Sequence, residues 1–464
     1  MAEADSNQGR IATRKVGTAR TKPFDAFDLL AFLIPCLRFI KVQVVGVLSG
    51  SDILLLLVFL YLVFSQKLKI SANAGKRLLI LCSLWFASQC LTDYVRHSVF
   101  KDYVRGWSNI GLTFVNLVVF WVLLYGNRKR LALYGWGLVC GTLLTVLVSP
   151  DEYMKDDPWK FGLAFTFTWA TLLVASSKRC RASWAIGLAV MAAVVNLMMG
   201  SRSMCGFCAV TALFLLNARS ARRRAAAGKQ LNKSVTLAVA ASLLLGVAGI
   251  FWAYQYAATS GALGEDAKEK YEAQSSGKYG LLLGSRSEML GYIPAIYDSP
   301  ILGHGSWAKE PAYMMIERQA LTILGYKDAE TFSLESFQEG LIPTHSHIFG
   351  AWVDAGVLGA IFWIAVFFYT ARALFQLHAP QAMLVPLASF AIFSLLWDLL
   401  FSPYGAQMRI INPFYIVLAL SSVCMVPKKL IRKVVAKTKR RVVVGARVVR
   451  KVNTGNIAQS LDTA

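Results

Sequence analysis

Apolar residues in this chain come in long, nearly unbroken runs, with neither the alternation of a strand nor the narrow stripe of a soluble amphipathic helix. Each run is roughly 17–25 residues long, which is what crossing a hydrocarbon layer about 30 Å thick requires. They predict spans near 27–48, 51–66, 78–95, 107–125, 131–149, 161–177, 183–200, 203–218, 235–256, 347–370, 381–400 and 410–427. The fold class expected is all-α, a polytopic integral membrane protein of about 12 transmembrane helices. A porin-like barrel would show short alternating segments instead. The first run is the weakest, because Arg38 and Lys41 interrupt it. A tilted span and a shorter one with a reentrant tail both fit it. No internal repeat of the kind that marks inverted-repeat transporters is visible.

Composition agrees: 56% of the 464 residues are hydrophobic and only 16% are charged, against about 25% charged in an ordinary soluble domain. The net charge of +23 would point to nucleic acid on a soluble protein. Here the bases sit in short loops beside apolar runs, which reads as orientation by the positive-inside rule, and no nucleic-acid partner is expected. With the N-terminus inside, the returning crossings deliver Lys67, Lys69, Lys76 and Arg77, then Arg128, Lys129 and Arg130, then Lys178, Arg179 and Arg181. The next inward loop carries Arg219, Arg222, Arg223, Arg224 and Lys229, and Arg372 follows the tenth span. The outward loop 151–157 is acidic, and the long loop 257–346 has more acids than bases. Asp93, Arg96, Lys101, Asp102 and Arg105 read as solvated charge on another outer loop.

The division expected is a basic cytoplasmic tail over 1–26, helices 1–9 over 27–256, the long loop 257–346, helices 10–12 over 347–427 and a basic cytoplasmic tail over 428–464. The N-terminal tail lacks a cleavable apolar stretch. The C-terminal tail, from Lys428 to Lys451 without an acid, suits anionic lipid at about 1 kcal/mol per Lys or Arg. The eight cysteines all lie in or beside apolar runs, so Cys205 and Cys208 read as buried small hydrophobes rather than a redox or metal pair.

Candidate chemistry collects in and around the long loop. Its start, GEDAKEKYEAQ, favours helix, and the apolar spacing over 289–297 predicts an amphipathic helix near the membrane surface. Pro300 closes that helix, and Gly303-His304-Gly305 reads as a tight turn. Three groups stand out on the outer side: Arg202 in MMGSRS, Arg286 in LLGSRS, and His345 in PTHSH. Two arginines suit a phosphate or pyrophosphate, since the guanidinium fork binds its oxygens in pairs and stays charged. An imidazole beside them suits proton handling. Taken singly, Arg202 equally reads as a snorkelling residue, Arg286 as a solvated cation, and His345 and His347 as interfacial polar groups. A metal held by His304, His345 and His347 lacks any recognised ligand spacing, and no metal or cofactor is expected. Asp398, inside an apolar run, is either functional or satisfied by a neighbouring helix or by Arg409.

These residues resemble those of the bacterial O-antigen ligases and O-antigen or exopolysaccharide polymerase-like membrane glycosyltransferases. The ligase signature of that family is His, then Asn, Ser or Gln, nine residues, Gly, two residues, and Gly, Thr or Tyr. This chain has His345-Ser346, nine residues, Gly356, Val357-Leu358 and Gly359. Ser201-Arg202 fits the family's arginine at the outer end of a middle span. Arg286 followed by Pro300-Ile301-Leu302-Gly303-His304-Gly305 fits its second arginine ahead of a Pro-x-x-Gly-x-Gly turn. The resemblance is clearest over roughly 180–375.

What the resemblance implies is a GT-C-like, metal-independent inverting glycosyltransferase of the bacterial inner membrane, with both termini cytoplasmic and a periplasmic active site. The donor would be an undecaprenyl-pyrophosphate-linked glycan, and the acceptor a hydroxyl of lipid-A core. Extension of another lipid-linked repeat is the alternative, and a polysaccharide transporter or flippase a lower one. Arg202 and Arg286 would stabilise the departing pyrophosphate, and His345 would activate or orient the acceptor hydroxyl. His304, Ser346 and His347 join the arginines as substrate-binding candidates, and Gly303, Gly305, Gly356 and Gly359 as structural ones. Polysaccharide-assembly proteins are the candidate protein partners.

Overall fold

The computed structural model describes residues 24–70, 72–226, 248–249, 251–252, 254–261, 264–327, 340–342 and 344–424. The N-terminal tail up to residue 23, most of the expected ninth span and the whole C-terminal tail lie outside these. The chain is an all-helical bundle with a single two-stranded hairpin among the described residues. Five of its helices are long and apolar enough to cross a membrane: α3 (Asn73–Arg96), α4 (Phe100–Leu123), α5 (Arg128–Val148), α9 (Arg202–Ala226) and α15 (Val357–Gln376). Shorter apolar helices accompany them: α2 (Gly50–Phe64), α7 (Ala164–Ala175, entered by a π turn from Trp159), α8 (Ala182–Met198), α16 (Val385–Phe401) and α17 (Met408–Ser422). Leu57, Phe64, Leu147, Trp184, Phe368 and Phe375 stand exposed on these helices. So many uncovered apolar side chains suit lipid rather than water. All eight cysteines are unbridged.

The expected first span is not one helix. Asp25 and Asp28 form a capping box for α1 (Ala26–Cys36), which ends just after Pro35. The chain then turns through the hairpin β1 (Lys41–Gln43) and β2 (Val47–Ser49). The two interrupting cations explain the break, because each needs a polar partner. Arg38 donates to Thr142 Oγ1 at 3.1 Å, and Lys41 donates to the Ser149 carbonyl at 2.9 Å. Both partners lie on α5 or at its end. The α1–α5 contact is close because Gly137 and Gly141 sit one turn apart, and a methyl on either would strike the Phe32 or Pro35 carbonyl.

The tenth span is also divided. The helix α14 (His347–Ala355) stops at Gly356, whose φ of +68° suits glycine, and α15 restarts at once. At the centre of the bundle, α17 is buried along its length. Its Arg409 makes a two-pronged ion pair with Asp52 of α2, at 3.0 and 2.7 Å. Arg409 is therefore not the partner of Asp398, which accepts from Ser402 Oγ at 2.7 Å.

Five further helices belong to the loops: α6 (Glu152–Asp156), α10 (Glu265–Ser275), α11 (Gly280–Gly284), α12 (Met289–Asp298) and α13 (Pro311–Ile323). The helices α10 and α12 fall where the sequence predicts them. α12 turns Tyr292 and Ala295 inward and leaves Ile293 and Tyr297 exposed.

Candidate active site

The loop that carries the site is braced from below by charges expected to be solvated. Asp93, near the end of α3, is buried. It accepts from the Ser306 backbone at 2.6 Å, Ser306 Oγ at 2.7 Å, Ser98 Oγ at 2.8 Å and Trp107 Nε1 at 2.8 Å. Arg96 donates to the Gly303 carbonyl at 3.0 Å and to Ser299 Oγ at 2.8 Å. Arg105 donates to the Val45 carbonyl at 2.8 Å, and Lys309 pairs with buried Asp102 at 3.4 Å. The reason is geometric: the loop folds back over the α3–α4 turn, so its backbone donors and acceptors need partners there.

The two glycine motifs interlock. His304 and Gly305 donate their backbone N–H groups to the carbonyls of Val353 and Asp354, at 2.7 and 3.0 Å. Val357 N and Trp352 Nε1 both donate to the Pro300 carbonyl, at 3.1 and 2.8 Å. A Cβ on Gly303 would lie 2.6 Å from the Gly356 nitrogen, and one on Gly356 would strike the Ile301 carbonyl. The turn at 300–305 is thus seated in the break between α14 and α15. Gly359 faces Trp85 and the Ala351 carbonyl with room for no side chain.

The three consecutive residues at the entry to α14, the first two of them in the signature, point three ways. Ser346 is the N-cap, accepting from Phe349 N at 3.2 Å while its hydroxyl donates to the Leu399 carbonyl at 2.8 Å. His347 is fully buried, donating from Nδ1 to the Ser402 carbonyl at 2.7 Å and accepting at Nε2 from Asn412 at 2.7 Å. His345 is held at the exposed end of this row. His304 is elsewhere, its ring nitrogens taken up by Glu310 at 2.8 Å and the Ala295 carbonyl at 2.7 Å. The three histidines do not converge, so they assemble no common metal site.

Sequence reasoning missed the partner of His345. Its Nδ1–H donates to Glu288 Oε1, leaving Nε2 without a partner among the described residues. That hydrogen bond raises the imidazole pKa above its ordinary value, outweighing burial and the nearby Arg286 charge, which both lower it. Burial works to raise Glu288, but the hydrogen bond and charge of His345 outweigh it and hold the carboxyl below its ordinary value. Glu317 of α13 completes the group; burial pushes its carboxyl up to about 6. Both acids carry a faint signal. Glu288 follows Arg286 by two residues, and Glu317 lies among Tyr313, Met314 and Leu321 on the buried face of α13.

No family model and no curated protein matches the chain.

The family reading consequently rests on the motif residues and on the geometry they adopt. Arg286 lies over the rings of Trp397 and Phe401, at 5.4 and 5.3 Å, at the C-terminal end of α16. Neither Arg286 nor Arg202 is ion-paired with a described carboxylate. Arg202 begins α9, exposed, with its guanidinium over Tyr254 at 4.8 Å and bonded to the Tyr254 hydroxyl at 2.5 Å. No contact joins it to Arg286. The link is indirect: Phe207, one and a half turns along α9, packs on Trp397 at 6.0 Å. Lys270 and Lys160 add charge near Arg202, and burial together with these like charges lowers the Lys270 ammonium. The Arg202 end of α9 and the Phe401 end of α16 therefore each carry an arginine without an ion-pair partner among the described residues. Another cavity, about 730 Å³, lies at the other end of the bundle among Lys178, Arg128 and Leu384. It holds no paired acid and base, so it is not the site.

Proposed function

We propose that the chain is a glycosyltransferase that takes a glycan from a polyprenyl pyrophosphate and joins it to an acceptor hydroxyl. The observation that carries this reading is the His345–Glu288 pair beside Arg286. A carboxylate on Nδ1 fixes the imidazole tautomer and leaves the Nε2 lone pair outward as a base. The acceptor oxygen attacks the anomeric carbon while His345 Nε2 takes its proton. The carbon–oxygen bond to pyrophosphate breaks from the opposite face, inverting the centre. The electron pair leaves with the pyrophosphate, whose growing charge Arg286 and Arg202 neutralise; such preorganised charge is usually the largest catalytic contribution. His345 would supply a further 10²–10⁴-fold, roughly, as general base.

In the proposed topology about twelve crossings leave both termini in the cytoplasm and this site on the periplasmic face of the inner membrane. The apolar helices and the loop charges support it. Transfer to lipid-A core is the reading preferred, on the full match to the ligase signature. The test is a purified-protein assay with one lipid-linked donor and two acceptors. Product on the core acceptor is expected, whereas a ladder of lipid-linked glycans without core product would make the protein a polymerase. His345→Ala should lower transfer at least 100-fold with normal protein level; unchanged turnover would overturn the reading.

A further inference from the structure

We propose that a half-open cavity beneath the long loop binds one sugar ring of the acceptor. This inference rests on the transfer reading for the word acceptor, but its evidence is separate. The cavity, about 150 Å³, lies between α3, α4 and α14, and the loop covers it. By volume it has room for about five waters or one ring of comparable size. Thr344 and Gly350 line one side, so the cavity begins one residue from His345.

Its polar lining is incomplete in a way that fits hydroxyl groups. Trp85 Nε1 is a buried donor and Asn109 Oδ1 a buried acceptor, and each lacks a hydrogen-bond partner. The Asp354 side chain, also in the wall, makes no hydrogen bond among the described residues. Leaving a buried donor or acceptor unpaired costs about 1–3 kcal/mol. Two such groups, with the accessible Asp354 carboxylate beside them, are better explained by a ligand that donates and accepts at once. A sugar hydroxyl does both.

The apolar lining includes the aromatic side chains of Trp85, Trp307 and Tyr404, the residue type that packs against the carbon–hydrogen face of a pyranose. Trp307 has a φ of +52°, a conformation that bulky residues rarely adopt. It is held there by neighbours. Ser306 is tied to Asp93 on one side, and Ala308 accepts from Ile342 N at 3.1 Å on the other. The Arg105 guanidinium lies 6.0 Å from the Trp307 ring. Strain that the surroundings enforce at a cavity wall is characteristic of a ligand clamp. An inorganic cation would use Asp354 and Asn109 but has no use for the indole donor or the aromatic lining.

The test uses the full chain in lipid nanodiscs and three variants, the near-isosteric Asp354→Asn, the still aromatic Trp307→Phe, and Asn109→Ala. Free glucose, galactose, mannose and N-acetylglucosamine serve as probes in saturation-transfer NMR. At least one should receive saturation from the wild type, and each variant should weaken it. In the transfer assay the variants should raise the acceptor KM about 10-fold or more. Their kcat and the slow hydrolysis of donor by water should stay within about two-fold, since neither depends on gripping the acceptor ring. Unchanged KM in Asp354→Asn and Trp307→Phe, with transfer intact, overturns the subsite and leaves the transfer reading standing. Sugar binding lost in the variants, with no transfer by the wild type from any donor, has the opposite meaning. No saturation of any probe in the wild type, with unchanged KM, also overturns it.

Discussion

His345 is exposed enough to meet a substrate and yet is held by a carboxylate, and those two facts define its chemistry. As a base it must be neutral at Nε2, and Glu288 raises the pH at which that state is reached. The acid limb of the pH–rate profile should therefore lie above the ordinary histidine value. Glu288→Gln removes the largest raising influence and leaves burial and Arg286, which lower the pKa. The limb should then move to lower pH, while the plateau rate falls roughly 10- to 100-fold as the imidazole loses its orientation. A plateau loss with an unmoved limb would mean that Glu288 only holds the loop. The sequence was informative here only in part. His345, Arg202 and Arg286 stood out by residue type and place, whereas Glu288 and Glu317 became visible only when α12 and α13 folded against the entry to α14. Contacts between segments dozens of residues apart leave no local pattern.

Among the elements, those crowded by glycine show most about how the bundle is assembled. Gly137 and Gly141 let α1 lie on α5, and Gly356 both breaks the tenth run and admits the 300–305 turn. The apolar runs themselves carried no sign of these breaks, because a helix interrupted by one glycine has the same mean hydropathy as a continuous one. Cations inside the first run did carry such a sign, and the chain answered them by ending α1 and pairing Arg38 and Lys41 with α5. The buried Arg409–Asp52 pair is the corresponding tie between α17 and α2. Arg409→Met should lower stability by about 3–5 kcal/mol, because it leaves Asp52 buried without its partner. Adding Asp52→Asn should recover part of that loss. The check is thermal unfolding of both variants in detergent; equal melting of single variant and wild type would show the pair to be expendable.

For the whole molecule, the bundle's two ends are chemically distinct. One end of α5 and α16 gathers Arg128, Lys129, Arg130 and Lys178, and the other carries the loop, the His345–Glu288 pair and Arg286. A fluorescent protein that folds only in the cytoplasm, fused after residue 464, should fluoresce. Alkaline phosphatase inserted after Lys327, active only in the periplasm, should be active. The reverse pattern would invert the topology and remove the site from its donor.

Length and apolarity of runs are local quantities, so the sequence by itself determined that the chain is helical, that lipid surrounds it and which residue types offer chemistry. Loop charge, also local, suggested which side each loop faces. Whether two charges meet is not local. Tertiary structure alone decided that Arg409 pairs with Asp52 and not Asp398, that His304 and His347 are consumed by packing, and that Glu288 stands behind His345. It also turned charges near residues 93–105 that read as solvated into the frame under the site, because a loop folded back on the bundle must satisfy its backbone wherever it lands.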